Sequence, residues 1–500
     1  ISCRMYEPRE KVIWFAVISR LGIIFLQFIS NLVLPDHDAG VFISPVDADR
    51  ETTSVLDRTV DYVLSGLFRW DSQYFIHIAK YGYTYENTLA FSPLYPIAVR
   101  CVAKILTIIL PILNRHSLTM IVATLINFVC FIKSATIFFD LSKNVLKDTA
   151  LAYKAAILYC VNPASIFFTA FYSEAMFAYL SFNVMLAYTE DNAFIYLPIA
   201  LSTLVRSNGL INMGFPLYSL IRGVLKIVLP RVSKNFQNQP RESSLPYGCA
   251  SILSAIAWFL NIVFLSIIPY VLLQLYNYSL FCLGNEMQMP IPVRDYGLEK
   301  GFLLAGTTNP PWCEDQIPTA YSYVQKKYWD VGLLQYYNVK QIPNFLLASP
   351  ILFIILSHSL KYLNEHRVEL YTLGSFSSIG KSKERFKYTA QSGDMFVFVI
   401  HGLFLTIFCI LFVHIQVSTR LLCSASPLLY WYCASDISSK SESRNEHFRD
   451  IESPENCCSK WRVFLFFQKS YSKNDVLILS YFLGYLILGC ILFPNFLPWT

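Results

Sequence analysis

Long apolar segments recur along almost the whole chain and constrain its fold more than any other feature. They lie at 12–34, 92–113, 117–139, 151–170, 174–189, 193–205, 209–229, 249–275, 343–360, 394–417, 421–434 and 476–493. A helix rises 1.5 Å per residue, so about 20 residues cross a bilayer core about 30 Å thick. The pattern therefore predicts an all-α polytopic membrane protein with about 8–12 spans. Several segments are shorter than a span needs, which indicates broken or re-entrant helices.

The composition supports a membrane protein and disfavours other classes. Of the 500 residues, 54% are hydrophobic and only 15% are charged, whereas a soluble domain carries about 25% charge. The net charge of +6 is small and dispersed, so no nucleic-acid partner is expected. The 13 cysteines show no CxxC spacing, which disfavours zinc and redox sites. Charged residues inside the apolar segments are therefore the first candidates for function.

The distribution of charge orients the chain in the membrane. Four segments together carry 21 Lys/Arg against 12 Asp/Glu: 1–11, 222–247, 361–388 and 437–475. Two others, 35–89 and 276–342, carry 9 Lys/Arg against 15 Asp/Glu. Cytoplasmic loops are enriched in Lys and Arg, so the first set is predicted to be cytoplasmic and the second luminal.

This orientation predicts five regions. They are a cytoplasmic N-terminus with a signal-anchor helix (1–34), a first luminal loop that carries catalysis (35–91), transmembrane helices (92–275), a second luminal loop (276–342) and C-terminal transmembrane helices (343–500). The luminal loops are rich in Trp and Tyr and poor in Gly and Ser, so we expect short amphipathic helices along the membrane rather than disorder.

The motif most suggestive of chemistry lies in the first luminal loop. Its sequence over 69–83 is RWDSQYFIHIAKYGY, and FSPLYP follows at 91–96. A carboxylate on an aromatic helix beside the membrane suits a lipid-linked polar substrate, because a low dielectric keeps the carboxylate basic. The alternative is an aromatic membrane anchor in which Asp71 is incidental. The residues alone leave both interpretations open.

The same residues resemble the GPI mannosyltransferase 2 (PIG-V) family. The likeness is carried by W-D-x-x-x-Y/F-x-x-I-A-x-x-G-Y after a first span, followed by F-x-P-x-x-P. Further matching pieces follow in order at 35–37, 172–175, 205–210, 310–313, 331–332, 341–348, 416–420 and 495–500. The stretches 230–247 and 437–475 show little resemblance. The resemblance implies the GT-C fold of polyprenyl-phosphate-sugar transferases.

The resemblance also implies an activity in the endoplasmic reticulum membrane, with the active site on the luminal side. Such an enzyme adds the second mannose, in α1,6 linkage, to mono-mannosylated glucosaminyl-(acyl)phosphatidylinositol. Dolichyl-phosphate-mannose is the donor, no further cofactor is required, and a small membrane-protein subunit is a conceivable partner. Inverting transfer needs a general base. Asp71 is the first candidate by its place in the motif, and Asp36 is the second, although Asp36 could equally be a helix-end acid bound to backbone.

Two arginines are candidates for binding the donor phosphate. Arg206 lies between apolar segments, and Arg420 follows the segment 394–417. A charge in such a place is usually functional or paired, but Arg206 could also extend from a helix end to the membrane surface. Glu174 is a similar intramembrane acid, which could pair with Arg206 or His77 or bind sugar hydroxyls.

Other residues of the matched motifs complete the predicted substrate site. The full set of substrate-binding candidates is Trp70, His37, Glu174, Arg206, Asn208, Trp312 and Arg420. Trp312 could stack on a sugar or pack against the membrane surface. His37 could orient the carboxylate of Asp36 or be structural.

A disulfide is predicted and a metal site is not. Cys282 and Cys313 are the cysteines of the second luminal segment, and the lumen is oxidising, so they should pair. Two D-x-D strings, at 36–38 and 47–49, could hold a divalent metal. We expect none, because such strings are common by chance in acidic loops and an arginine can stabilise a leaving phosphate.

Two other functions compete with a transferase. A polar-lipid transporter or flippase would share the buried charges and broken helices, but it predicts two related halves, and the sequence shows no such repeat. A catalytically silent subunit of a membrane complex would share all the features above. The family resemblance favours the enzyme.

Overall fold

The computed structural model describes residues 7–45, 53–109, 111–235, 245–284, 288–307, 309–367, 371, 373, 393–437 and 471–499. These residues form helices joined by turns, with an isolated antiparallel β-bridge between Tyr85 and Leu304. The predicted all-α polytopic membrane architecture is confirmed.

The helices follow one another along the chain. The first half contains α1 (Pro8–Val33), α2 (Val55–Leu64), α3 (Asp71–Tyr81), α4 (Leu94–Ile109), α5 (Arg115–Leu146), α6 (Thr149–Cys160), α7 (Glu174–Thr189), α8 (Tyr196–Val205) and α9 (Gly214–Asn235). The second half contains α10 (Leu245–Phe281), α11 (Ile291–Glu299), α12 (Ala320–Trp329), α13 (Ile342–Glu365), α14 (Gly393–Phe412), α15 (Ile415–Ala425), α16 (Leu428–Asp436) and α17 (Lys473–Leu492).

Six helices in the described part of the chain are long and apolar enough to cross a membrane. These spans are Pro8–Val33, Arg115–Leu146, Ala250–Phe281, Val339–Glu365, Met395–Phe412 and Lys473–Asn495. The larger number expected from the sequence includes shorter apolar segments. Among these, α6, α7 and α8 have 12, 16 and 10 residues. At 1.5 Å per residue, such helices cross only part of a bilayer.

An irregular segment interrupts the chain between α6 and α7. Residues 161–173 form successive turns, and every one of them is buried. Non-helical backbone within a membrane bundle is tolerated only where protein buries it or where it lines a cavity. We call this stretch the irregular segment.

The two predicted luminal loops pack together into one unit, which we call the cap (residues 53–91 and 288–337). Ala305 N–H donates to Thr84 O at 3.0 Å, and Glu86 N–H donates to Leu303 O at 2.9 Å. The Glu86 side chain is fully buried and accepts hydrogen bonds from Trp312 Nε1 at 3.2 Å, Lys327 Nζ at 2.6 Å and Tyr328 Oη at 2.7 Å. The short helices expected in these loops are present as α2, α3, α11 and α12.

A disulfide attaches the end of α10 to the cap. It joins Cys282 to Cys313, whose Cα atoms are 5.6 Å apart, as the sequence predicts. The bond closes a loop of 31 residues, and loop-closure entropy then contributes roughly 3–4 kcal/mol to stability.

Removing this disulfide should destabilise the cap. We expect the Cys282→Ser/Cys313→Ser protein to unfold at lower temperature than the wild type, as measured by thermal unfolding in detergent. Cys101→Ser is the matched control, because Cys101 is an exposed free cysteine. Unchanged unfolding of the double variant, or free thiols at both positions by non-reducing mass spectrometry, would contradict this prediction.

Candidate active site

Four charged side chains from distant parts of the chain meet where α3 of the cap contacts the irregular segment. Arg420 Nη1 lies 2.8 Å from Asp71 Oδ2 and 3.7 Å from Glu174 Oε1. Arg206 Nη1 pairs with the same Glu174 oxygen. We call Asp71, Glu174, Arg206 and Arg420 the charge cluster. Its two acids and two arginines alternate, so the formal charges balance.

The charge cluster is largely buried, but three of its four side chains keep some contact with solvent. The Glu174 side chain is fully buried, whereas Asp71, Arg206 and Arg420 keep 27%, 18% and 16% of their side-chain surface exposed. Withdrawing charges from water is unfavourable unless they are paired, and intramembrane charges mark functional sites more often than they add stability. The partial exposure leaves Asp71 and both arginines accessible to a ligand.

Strained backbone presents Asp71 at the start of α3. Trp70 precedes it with φ +54° and ψ −128°, which a bulky L-residue rarely adopts. The N–H of Asp71 donates to Tyr172 Oη at 3.0 Å, which ties α3 to the irregular segment. Such strain persists only where the surroundings impose it, and it is concentrated at functional sites.

The other members of the charge cluster are placed by breaks between helices. Glu174 begins α7 directly after the irregular segment, and Arg206 lies between α8 and a 3₁₀ turn at Ser207–Met213. Gly209 in that turn has no room for a side chain, because a Cβ would lie 2.6 Å from Thr203 N. The Arg420 guanidinium lies over the Phe167 and Tyr172 rings, at 5.3 and 5.4 Å from their centroids.

Several polar atoms in or beside the charge cluster are buried without a hydrogen-bond partner. They are Glu174 Oε2, Trp70 Nε1 and Asn208 Nδ2. Buried polar atoms are nearly always paired in folded proteins, so each exception needs an explanation. Glu174 Oε2 is an acceptor, and Trp70 Nε1 and Asn208 Nδ2 are donors, so all three groups retain hydrogen-bonding capacity.

Asp36 and His37 belong to a neighbouring group at the end of the first span. Asp36 Oδ2 pairs with Arg69 Nη2 at 2.9 Å, and half of the Asp36 side chain is exposed. The N–H of His37 donates to Asn495 O at 3.0 Å. Arg69 Nε also donates to Pro494 O at 2.8 Å, so this group joins the first span to the end of α17.

Trp312 lies in the cap, away from solvent. Its side chain is fully buried and donates to Glu86, which corresponds to a packing role rather than to an exposed stacking surface for a sugar.

His77 is not the partner of Glu174. Its ring contacts Thr84 Oγ1 at 2.7 Å and Ser44 Oγ at 3.2 Å. Burial, assisted by the Lys80 charge, lowers the pKa of His77 to about 3, so the ring is neutral at physiological pH. Of the three roles open to Glu174, the structure shows the pairing with Arg206.

The sequence interpretation missed two residues that shape the site. Arg20 is fully buried in α1, and Tyr172 contacts both Asp71 and Arg420. Arg20 could have been found in the sequence, because it is a charged residue within the apolar segment 12–34, and such charges are usually functional or paired. In the sequence, the one signal for Tyr172 is its place in the matched piece 172–175.

The described residues contain no group of three or more His, Cys, Asp or Glu side chains able to hold a metal ion. In the first D-x-D string, Asp38 Oδ1 accepts from Gly40 N–H at 3.2 Å. The second string, 47–49, lies outside the described residues.

Fold and site together define a class: a polytopic membrane protein with paired charges set where its helices and its cap meet. The family model described as "Mannosyltransferase (PIG-V)" matches residues 9–500. A Drosophila melanogaster relative named GPI mannosyltransferase 2 is 37% identical over 499 residues, covering 98% of this chain and all of the relative.

Two mammalian relatives carry a more specific name, GPI alpha-1,6-mannosyltransferase 2. The Cricetulus griseus protein is 34% identical over 521 residues and the Homo sapiens protein 34% over 508 residues. These alignments cover 99% and 98% of this chain and 99% of each relative. The chain therefore belongs to the PIG-V mannosyltransferase family of GPI-anchor biosynthesis, and it is a glycosyltransferase.

Proposed function

We propose that the protein adds the second mannose of the GPI core in α1,6 linkage, at the luminal face of the endoplasmic reticulum membrane. The donor is dolichyl-phosphate-mannose, and the acceptor is mono-mannosylated glucosaminyl-(acyl)phosphatidylinositol. The names of the mammalian relatives support the linkage. The observation that carries the site assignment is the charge cluster, in which two partly exposed arginines alternate with two acids.

In this proposal, Asp71 is the general base. An acceptor hydroxyl oxygen attacks the anomeric carbon of the donor while Asp71 takes the hydroxyl proton. The bond between that carbon and the phosphate oxygen breaks, and its electron pair leaves with dolichyl phosphate. Attack opposite a β-linked leaving group gives the α product. Asp71 suits this role because its side chain is the more exposed of the two acids in the charge cluster, at 27% against 0% for Glu174.

Arg420 and Arg206 stabilise the departing phosphate. In the structure Arg420 Nη1 occupies Asp71 Oδ2 at 2.8 Å, so this carboxylate oxygen is not free to contact an acceptor hydroxyl. A donor phosphate entering the charge cluster competes for the guanidinium, and bidentate phosphate binding by arginine is strong. Substrate binding then releases Asp71 for proton abstraction, while Glu174 keeps both arginines in place.

Asp36 is the second candidate for the base. It is more exposed than Asp71, and its partner Arg69 also lies near the carboxyl end of the chain. Its pairing outside the charge cluster makes it the less favoured of the two.

The proposed function is tested by a microsomal assay. Membranes from cells that lack the endogenous enzyme are given this protein, the donor and the acceptor. We expect a product with one additional α1,6-linked mannose, identified by mass spectrometry and linkage-specific mannosidase digestion. Transport of unmodified substrate without transfer would instead indicate a flippase. If purified protein is inactive but membranes are active, a further membrane component is needed, such as the small subunit that the family resemblance implies.

Chelation should leave this activity unchanged. Two arginines supply positive charge where phosphate leaves, so a divalent metal is not required for charge neutralisation. We expect equal transfer rates with and without EDTA, measured on washed membranes. A loss under EDTA that Mn²⁺ or Mg²⁺ restores would contradict the prediction and assign a role to the acids at 36–38 or 47–49.

A further inference from the structure

Arg20 is a buried cation bonded to backbone and hydroxyl groups. It lies midway along α1, a candidate membrane span, and is fully buried. Nη1 donates to Ser165 O at 2.9 Å and to Thr169 Oγ1 at 3.0 Å. Nη2 donates to Cys160 O at 2.9 Å and to Ser165 Oγ at 3.3 Å. The guanidinium carbon also lies 3.7 Å from the centroid of the Phe131 ring.

These bonds converge on the irregular segment and the helix end before it. Cys160 is the last residue of α6, where free carbonyls and the helix dipole favour a cation. Ser165 and Thr169 belong to the irregular segment itself. An arginine presents its donors in a rigid planar fork, so it fixes several acceptors relative to one another. The desolvation of a guanidinium is unfavourable unless its donors find new partners. Here residues 160–169 accept four of the Arg20 hydrogen bonds.

A second buried side chain holds the other end of the irregular segment. Asn127, on α5, donates from Nδ2 to Tyr172 O at 3.0 Å and also to Ala170 O. The two rings that contact Arg420 belong to this anchored stretch: Phe167 lies between Ser165 and Thr169, which Arg20 binds, and Tyr172 is bound by Asn127. Glu174 follows directly. The shape of the irregular segment therefore determines where half of the charge cluster sits.

We infer that Arg20 is a positioning residue for mannosyl transfer, which acts from the first span by holding the irregular segment against the charge cluster. The inference rests on the proposed role of that cluster. Arg20 touches none of its four members; it acts through Phe167, Tyr172 and Glu174. A displacement of about 1 Å of a positioning group can reduce turnover about 100-fold. Loss of the Arg20 guanidinium should therefore lower kcat measurably.

The test compares three variants of the full-length protein in lipid. Arg20→Met keeps the length of the side chain but removes all donors, and Arg20→Lys keeps the charge but not the fork. Arg9→Met is the matched control on the same helix, since Arg9 is half-exposed and pairs with Asp140 at 3.1 Å. For each, kcat per folded molecule is measured together with amide hydrogen exchange of 161–173 and of 288–337.

For Arg20→Met we expect a fall in kcat of about 10- to 100-fold, with faster exchange in 161–173 and unchanged exchange in 288–337. Arg20→Lys should recover part of kcat, and Arg9→Met should equal wild type. Wild-type kcat and exchange in Arg20→Met would overturn the inference. Faster exchange in both regions with unchanged kcat per folded molecule would also overturn it, because Arg20 would then be only structural. If wild type itself transfers no mannose, the proposed function fails, and exchange still reports whether Arg20 holds the irregular segment.

Discussion

Asp71→Asn is expected to reduce mannosyl transfer by about 10²- to 10⁴-fold, the contribution of a positioned general base. Asparagine has the size of aspartate but cannot take a proton from the acceptor hydroxyl. The protein should still fold, because Arg420 keeps Glu174 at 3.7 Å and Asp71 is partly exposed. The measurement is the initial rate of transfer in membranes, normalised to the amount of inserted protein.

Asp36→Asn is the matched control, since it removes an acid of the same kind that pairs with Arg69 beside the charge cluster. We expect it to lose far less activity than Asp71→Asn. Donor binding, measured separately, should be retained in Asp71→Asn because both arginines remain. Full activity of Asp71→Asn would show that it is not the base, and a larger loss in Asp36→Asn would transfer the role to Asp36.

The long spans could be predicted because hydropathy and length determine them together. The segments 12–34 and 476–493 are found as α1 and α17, with ends shifted by a few residues. The segment at 151–170 was less predictable. It reads as one apolar run, but α6 ends at Cys160, just before Asn162 and Pro163. A residue preceding proline is disfavoured in helix, and this local constraint outweighs hydropathy.

The charged members of the site could be predicted one by one, but not as partners. An intramembrane charge must be satisfied, so the sequence indicates that Glu174 and Arg206 have partners. The sequence does not identify these partners, because residues that pair in the fold can be far apart in the chain. Asp71 and Arg420, for example, are 349 residues apart. Arg20 shows that an intramembrane charge need not have an acidic partner, because carbonyl and hydroxyl oxygens accept the hydrogen bonds of its guanidinium. Only the folded backbone shows whether a buried arginine pairs with an acid or is bonded by carbonyl and hydroxyl oxygens.

Arg420→Gln is expected to reduce kcat/KM by about 10²- to 10³-fold, the effect of removing one donor that stabilises developing negative charge. The donor phosphate would lose one of the two arginines proposed to bind it, so the KM for dolichyl-phosphate-mannose should also rise. Arg420→Lys should recover part of this loss, because lysine supplies a charge without the bidentate fork. The control is Arg58→Gln, which changes an exposed arginine of the cap. A wild-type KM and kcat in Arg420→Gln would exclude Arg420 from phosphate binding.

Combining the two substitutions separates stability from catalysis. Arg420→Gln alone leaves Asp71 without its partner at 2.8 Å, and an unpaired, partly buried carboxylate destabilises the fold. Adding Asp71→Asn removes that charge, so the double variant should unfold at a higher temperature than Arg420→Gln. Its transfer rate should nevertheless stay at the background level, because base and phosphate ligand are both lost. Recovery of activity along with stability would mean that the ion pair serves only to hold the fold together, and it would refute both assignments.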